Sequence, residues 1–426
     1  MHVGRTSGGS MPLSRVLAVI AAGVSVMALG VPSTSPAQAV TTPGIVPVPV
    51  GGSFTAALTT RTTSFAGGTH LRWTAFDMPP LTSAGAIWPV ARDRTLLGVA
   101  TGPPGIVETG SVQTTASSGA MTTEAASWLS ADGGGTWAEH VTPGAASFGP
   151  VVGHGGVFVA VSPAGLWSSR DGATWARATT GPRDLAGVAT IAAGPQGFVV
   201  FRRSRTPGRT HVWVSRSGAP GSWVLVPTQA VVSGFCPTSV TVTATRVLAV
   251  GHDCTRPAVP RVLTSISGRT WARTTVPTGL RTAGIYVRDP SLSFVGGRFM
   301  LAGADRRQDA AWLWMSLDGH VWRHVASLPR RPGLSVDRLA TVARLGVGYL
   351  AVGDRDFPAD DAELAAWWST DLVRWARVTP ATVAWCDATV HMVEQATVAS
   401  HRVVLVGNPW SISSSCAESW TATPVR

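Results

Sequence analysis

Arginine is the residue type with the most chemical potential in this sequence. The chain contains 34 lysine and arginine residues, all of them arginine, against 23 aspartate and glutamate residues, and its formal net charge is +11. A guanidinium group binds carboxylates and phosphates through two parallel hydrogen bonds. We expect an anion-binding surface built from arginines that lie in polar segments between apolar runs; the alternative is a solvated rim whose arginine content reflects compositional bias. These arginines are Arg183, Arg202, Arg203, Arg281, Arg288, Arg306, Arg307, Arg330, Arg331 and Arg355.

Motifs for several other chemistries do not occur in the sequence. It contains no Cys-x-x-Cys pair, no phosphate-binding loop and no Gly-x-Ser-x-Gly nucleophile elbow. The sequence therefore predicts neither a cofactor nor a metal.

The N-terminal segment has the layout of a secretory signal. Arg15 precedes an apolar run over residues 16–29, and small residues end at Ala37-Gln38-Ala39. This pattern predicts a signal peptide over residues 1–39, counted from Met1 or from Met11, with a membrane anchor as the alternative. We expect an extracellular protein, and the four cysteines of the chain are then expected to form disulfides. Residues 40–68, rich in Thr, Pro and Val, are interpreted as a leader, with a possible strand over residues 53–60.

A turn flanked by two tryptophans recurs along the rest of the chain. Its pattern is Ser-x-Asp-Gly-x-Thr-Trp, and two weaker copies carry Ser217 and Ser267 in place of the aspartate. The carboxylate can accept backbone N–H groups of its own turn, and glycine supplies the positive φ that the turn needs. We therefore expect a structural role for this aspartate. The residues concerned are Ser130, Asp132, Trp137, Ser169, Asp171, Trp175, Ser316, Asp318, Trp322, Ser369, Asp371 and Trp375.

The spacing of these turns predicts an all-β, seven-bladed β-propeller of four-stranded antiparallel blades. Short apolar runs such as residues 157–161 and 247–251 precede the turns, which gives about fifty residues per unit, the size of a propeller blade. The segment around Trp73 is an isolated fourth strand, so we expect it to close the last blade, which ends near Trp420. The longest predicted loop covers residues 101–127.

The blade register also selects a cysteine pairing. Cys236 and Cys386 lie before first strands, and Cys254 and Cys416 follow second strands. We expect the pairs Cys236–Cys254 and Cys386–Cys416.

The repeated turn resembles that of the Asp-box (BNR) repeat propellers, which include bacterial sialidases and sortilin-type receptors. The resemblance covers about residues 69–426, the predicted propeller domain, and implies the fold without implying one function.

Two functional hypotheses follow. The first is a secreted, monomeric, non-catalytic propeller, without a membrane span after signal removal, whose arginine-bearing face binds an acidic glycan, a cell-wall polymer or an extracellular protein. Nucleic acid is not an expected partner. The alternative is a sialidase-like exo-glycoside hydrolase, for which the resemblance implies an arginine clamp, an acid/base aspartate and a tyrosine nucleophile activated by a glutamate. Tyr286 and Glu394 are the candidates for that pair, although the Arg-Ile-Pro signature is missing.

Overall fold

The computed structural model describes most of the chain beyond residue 52. The described residues are 53–55, 57–64, 70–77, 92–116, 118–179, 185–204, 208–254, 259–277, 290–305, 310–328, 337–355, 363–378, 391–399, 401–409 and 418–425. Their strands belong to the compact unit Pro49–Arg426. No helix of these residues is long and apolar enough to cross a membrane. The predicted signal peptide lies outside them and stays a prediction.

The strands form seven antiparallel sheets, as the sequence predicts. Blade I contains β4 (Arg92–Gly102), β5 (Gly105–Thr115), β6 (Met121–Ser130) and β7 (Thr136–Thr142). Blade II contains β8 (Val151–His154), β9 (Val157–Ser162), β10 (Gly165–Ser169) and β11 (Ala176–Thr179). Blade III contains β12 (Leu185–Gly194), β13 (Gly197–Ser204), β14 (Thr210–Ser215) and β15 (Val224–Val226). Blade IV contains β16 (Phe235–Val242), β17 (Val247–Asp253), β18 (Pro260–Ser265) and β19 (Ala272–Thr274).

The remaining blades complete the ring. Blade V contains β20 (Ser291–Val295), β21 (Arg298–Asp305), β22 (Ala310–Ser316) and β23 (Arg323–Ser327). Blade VI contains β24 (Asp337–Leu345), β25 (Gly348–Arg355), β26 (Glu363–Ser369) and β27 (Ala376–Val378). Blade VII contains β28 (His391–Ala399), β29 (Arg402–Pro409) and β30 (Glu418–Val425), and it takes β3 (His70–Asp77) as its fourth strand.

The ends of the chain are held together in blade VII. Trp73 lies opposite Ala422, and Ala75 lies opposite Trp420, so the predicted closure of the last blade by an N-terminal strand is confirmed. Two further strands come from the segment interpreted as a leader: β2 (Ala57–Ser64) extends blade VII, and β1 (Ser53–Thr55) pairs with β7 of blade I. The first strands of neighbouring blades contact each other around the whole ring, including β28 with β4.

The apolar core lies between neighbouring blades because both faces of each sheet are covered. Val404 and Val406 of blade VII pack with Trp128 and Trp137 of blade I, and both tryptophans are buried. Equivalent clusters occur between the other blades. Burying both faces explains why the second strands are continuous apolar runs instead of alternating ones.

The predicted loop over residues 101–127 is wrong. These residues form most of a long β-hairpin, β5 and β6, joined by a short turn in which Gly119 has a φ of 78°. Many residues of the segment are β-branched, and a continuous run of β5 that includes Val107 is buried. Packing of these side chains therefore outweighs the glycine and serine content on which the loop prediction rested.

One predicted disulfide is present. Cys236 and Cys254 are bonded, with a Cα–Cα distance of 5.0 Å. Cys236 is the second residue of β16 instead of preceding the strand, and Cys254 directly follows β17. The bond is consistent with an extracellular protein. Cys386 and Cys416 lie outside the described residues.

Candidate active site

The two ends of the propeller channel carry different connections. In a four-stranded meander, the turns between first and second strands and between third and fourth strands lie on one face. We call this the turn face, and the opposite side, with the longer connections, the loop face. All copies of the Ser-x-Asp turn follow a third strand, so they lie on the turn face.

Each turn aspartate accepts three hydrogen bonds from its own turn. Asp132 Oδ1 accepts the Thr136 N–H at 2.9 Å and the Ser130 hydroxyl at 2.8 Å, and Oδ2 accepts the Thr136 hydroxyl at 2.8 Å. Asp171, Asp318 and Asp371 each accept two backbone N–H groups and a serine hydroxyl. These contacts occupy the carboxylates within the scaffold.

The same contacts lower the pKa values of these groups. The Thr136 N–H is the main cause that lowers the pKa of Asp132 to about 2. Partial burial opposes the shift at Asp171, yet the N–H groups of Thr174 and Ala173 still lower its pKa to about 2. The N–H groups of Val321 and His320 lower the pKa of Asp318 to about 2, and that of Arg374 lowers the pKa of Asp371. Such carboxylates are ionised at neutral pH and poor proton donors.

Glu394 occupies a distinctive position on an innermost strand. In β28, Val393 pairs with Gly407 and Gln395 pairs with Val406, so Glu394 is the extra residue of a β-bulge. Its side chain is exposed, whereas Val393 is buried. Because β28 lines the centre of the ring and the bulge lies away from the strand ends, the solvent that reaches Glu394 is that of the channel. Bulges re-aim side chains in this way and are enriched beside active sites.

Bulges recur at the same place in other first strands. The extra residues are Leu97 in β4, Thr238 in β16 and Ala340 in β24. All three are partly buried, and none is acidic. Among these four equivalent positions, Glu394 therefore carries the one group that could transfer a proton.

Gln395 fixes the strand that carries Glu394. Its Oε1 accepts the N–H groups of Val99 at 3.2 Å and of Val151 at 3.1 Å, and its Nε2 donates to the Val151 carbonyl at 2.7 Å. One side chain of blade VII thus binds the first strands of blades I and II. Gln395 could not be identified from the sequence, because nothing there distinguishes it from other polar residues in strands.

Two of the predicted ligand-binding arginines have described side chains. Arg202 is 1% exposed, and its Nη2 donates to the Pro163 carbonyl at 2.9 Å. Among the described residues its Nε and Nη1 have no hydrogen-bond partner, and burial lowers the pKa of its guanidinium. Arg203, the next residue of β13, is exposed. The two neighbouring arginines, which were predicted to have the same role, therefore differ in exposure.

The other predicted site residues remain predictions. Arg355 ends β25, opposite Asp337 and Glu363, but its side chain lies outside the described residues. Tyr286 and the following arginines lie outside them entirely: Arg183, Arg281, Arg288, Arg306, Arg307, Arg330 and Arg331.

A buried ion pair within blade I was also missed. Arg94 Nε donates to Glu139 Oε2 at 2.9 Å, and the Trp128 indole N–H donates to the same oxygen at 3.0 Å. Glu139 is 3% exposed, so the pair holds strands of blade I together without facing the channel.

The described side chains offer no metal site. No group of three or more His, Cys, Asp or Glu residues among them could hold a metal ion. His320 and His324 are four residues apart in sequence, but His320 contacts Arg246 and Thr274. His324 packs against Trp312 and Trp314.

No protein-family model and no curated protein sequence matches the chain. Solved structures with a similar fold include the GH32 β-fructofuranosidase of Bombyx mori, with a TM-score of 0.36 and 11% identity over 55% of this chain and 60% of that one. The chain thus spans about 60% of the length of that enzyme. An exo-β-1,3-galactanase from Phanerochaete chrysosporium has a TM-score of 0.38 and 13% identity over 55% and 59% of the two chains. A thermostable family-43 glycoside hydrolase has a TM-score of 0.35 and 11% identity over 57% and 91%.

The comparisons are at odds with the first functional hypothesis, a non-catalytic binder, which is therefore not carried further: the proteins just named are glycoside hydrolases. At these identities and TM-scores the likeness is one of fold. Neither a substrate nor a catalytic residue is carried over from them.

Proposed function

We propose that the chain is an exo-acting glycoside hydrolase whose active site lies in the channel, with Glu394 as a catalytic carboxylate. The observation that carries this proposal is the exposed side chain of Glu394 at the bulge of an innermost strand. Glycoside hydrolysis needs at least one carboxyl group beside the scissile bond. A channel enclosed by seven blades admits the end of a glycan more readily than its middle, which favours exo action.

The scaffold around Glu394 suits this role. A catalytic group must be held to within a fraction of an ångström by its support. Gln395 supplies that support through its hydrogen bonds to Val99 and Val151. The turn aspartates are unsuited, because their carboxylates are held by their own turns and their pKa values are lowered.

The finer proposal is a sialidase-like mechanism, with a tyrosine nucleophile that a glutamate activates. The Glu394 carboxylate takes the phenolic proton of Tyr286 as the tyrosine oxygen attacks the anomeric carbon and the glycosidic oxygen leaves with a proton from a separate acid. Water then cleaves the glycosyl–tyrosine bond, giving its proton to the conjugate base of that acid, and Tyr286 regains its own proton from Glu394. The predicted loop-face arginines would bind a carboxylate of the substrate. We also propose export by the signal peptide over residues 1–39, as the disulfide supports an extracellular location.

Activity on aryl glycosides tests the proposal. We expect the mature chain to hydrolyse at least one member of a panel that includes sialosides, glucuronides and neutral exo-substrates. Glu394→Gln should lower kcat by about 10²- to 10⁴-fold with little change in KM, the usual effect of removing a general base. The matched control is Glu124→Gln, an exposed glutamate on β6 of blade I, which should retain full activity. Equal activity of wild type and Glu394→Gln would refute the assignment.

Tyr286→Phe separates the finer proposal from the coarser one. If Tyr286 is the nucleophile, this variant loses turnover and no longer accumulates a glycosyl–enzyme adduct with a 2-fluoro or 3-fluoro sugar, as seen by mass spectrometry of the intact protein. Full activity of Tyr286→Phe together with loss of activity in Glu394→Gln would retain the hydrolase and discard the sialidase-like mechanism.

A further inference from the structure

A cavity of about 480 Å³ opens on the turn face between blades VII and I. Its lining includes Gly102 and Gly105 at the turn between β4 and β5, Asp132 and Gly133 in the turn between β6 and β7, and Arg402, the first residue of β29. Its volume falls in the range of small-molecule sites. Glu394 is not part of its lining.

Arg402 is the one cation in this lining, and one of its nitrogens is fixed. Its Nη1 donates to the Gly133 carbonyl at 2.7 Å. No described residue forms an ion pair with it, and its side chain is partly buried. The Nη2 and Nε donors therefore remain for a ligand. A partly buried guanidinium without a counter-charge is costly, and an oxyanion relieves that cost.

The carboxylate of Asp132, which also lines the cavity, forms no described ion pair with Arg402. Both of its oxygens accept hydrogen bonds from Ser130 and Thr136. The lining therefore carries one anion, whose oxygens are held by its own turn, and one cation, Arg402, which keeps hydrogen-bond donors for a ligand.

The turn of blade I is shaped to receive the guanidinium. Gly133, Gly134 and Gly135 separate Asp132 from Thr136, whereas two residues separate Asp171 from Thr174 in blade II. Gly133 has a φ of 79°, and a Cβ there would lie 2.7 Å from Nη1 and 3.1 Å from Cζ of Arg402. Only glycine lets the guanidinium lie against this turn. Consecutive glycines cost conformational entropy, so the longer turn has no advantage for stability alone.

Arginines at the same position in other blades are used differently. Like Arg402, Arg246 and Arg298 each lie immediately before a residue of a second strand. That residue pairs with the position of the third strand at which the turn motif has its serine. Arg246 Nη1 contacts His320 Nε2 and Thr264, and Arg298 Nη1 contacts Met315 Sδ. Only Arg402 of the three contributes to a described cavity.

We propose that this cavity is a second ligand site, separate from the hydrolytic one, which binds a small oxyanion (a carboxylate, phosphate or sulfate group) through Arg402. The glycine-lined wall lets the body of the ligand approach the backbone closely. The proposal goes beyond the proposed function and does not depend on it.

Calorimetry on the mature chain at low salt tests this proposal, with sodium glucuronate, inorganic phosphate and inorganic sulfate as probes and glucose as the neutral control. At least one oxyanion should bind with a stoichiometry of one and weaken with salt. The probe that binds most tightly shows whether the site prefers a carboxylate, a phosphate or a sulfate. Arg402→Met should weaken binding of the oxyanion at least tenfold. Arg402→Lys keeps the positive charge without the planar guanidinium, so its affinity should lie between those of wild type and Arg402→Met.

Two further variants serve as controls. Arg298→Met removes an equivalent arginine away from the cavity and should leave binding unchanged. Ala131→Glu, at an exposed position of the lining, adds a competing carboxylate and should weaken binding with Arg402 in place. The proposal is overturned if glucose binds as well as glucuronate, if no oxyanion binds, or if folded Arg402→Met and Ala131→Glu bind like wild type.

Discussion

At the scale of single residues, acidic side chains have one role in the turns of the propeller and another inside its ring. Asp132, Asp171 and Asp318 complete tight turns, whereas Glu394 is presented to solvent inside the ring. The sequence could indicate the first role, because the turn motif is local. It could single out Glu394 only through a family resemblance. The bulge that exposes Glu394 depends on pairing with β29 and has no local signature.

The turn aspartates predict a specific pH dependence of stability. Their folded pKa of about 2 lies below the unfolded value near 3.9, so their contribution is complete above about pH 4 and is lost as pH falls toward 2. The triple variant Asp132→Asn, Asp171→Asn, Asp318→Asn should be less stable than wild type at pH 7, and the difference should shrink below pH 4. Urea denaturation at several pH values measures this. A difference that does not change with pH would show that ionisation is irrelevant.

Arg202 predicts a gain of stability on substitution. Its guanidinium is buried with two nitrogens that lack partners. Replacing an uncompensated buried charge by an apolar side chain of similar length removes a desolvation cost, so Arg202→Met should raise the free energy of unfolding by about 1–4 kcal/mol. Arg203→Met, at the exposed neighbour, should change it by less than about 0.5 kcal/mol. A loss of stability in Arg202→Met, by urea denaturation, would mean that the arginine has a counter-charge.

At the scale of elements, the strands were predictable and their irregularities were not. Glycine-bounded apolar runs mark the second strands, such as β17 and β29, because burial on both faces demands them. The hairpin of β5 and β6 was mistaken for a loop because of its glycine and serine content, although each of the two strands contains a run of buried residues. The bulges of the first strands are register shifts against the second strands, and no local sequence pattern marks them.

Gln395 supports a prediction at this scale. Gln395→Leu removes its three hydrogen bonds and leaves the N–H groups of Val99 and Val151 without their acceptor. We expect a loss of about 1–3 kcal/mol in the free energy of unfolding, together with a lower kcat because Glu394 is less well positioned. Thr397→Val, on the same strand, should have a small effect on both quantities. Unchanged kcat in a destabilised Gln395→Leu variant would show that the hydrogen bonds of Gln395 do not position Glu394 for catalysis.

At the scale of the whole molecule, a count of repeats was enough to predict seven blades and their closure. Seven copies of one unit can bury both faces of each sheet only in a closed ring, and the isolated strand around Trp73 fits the one missing place. The site could not be predicted from a repeat count in the same way, because blades repeat their scaffold residues, whereas the bulges of β4, β16 and β24 carry no counterpart of Glu394 or Gln395.

The closure predicts the effect of removing the N-terminal strands. A mature chain that begins after residue 77 lacks β1, β2 and β3, which exposes the edge of β30 and removes Leu71 from the core between blades VI and VII. Exposed edges pair with other chains, so we expect dimers or aggregates and a lower melting temperature. Light scattering coupled to size-exclusion chromatography measures the mass. A monomer with the melting temperature of the intact mature chain would contradict the closure.

The most direct test of the central claim is a crystal structure of the mature chain with a competitive inhibitor of the hydrolysis, such as an iminosugar selected on the active substrate. The account predicts the sugar ring in the channel, with a polar atom about 2.6–3.2 Å from a Glu394 carboxylate oxygen. An inhibitor bound on the turn face, or between blades away from β28, would contradict it.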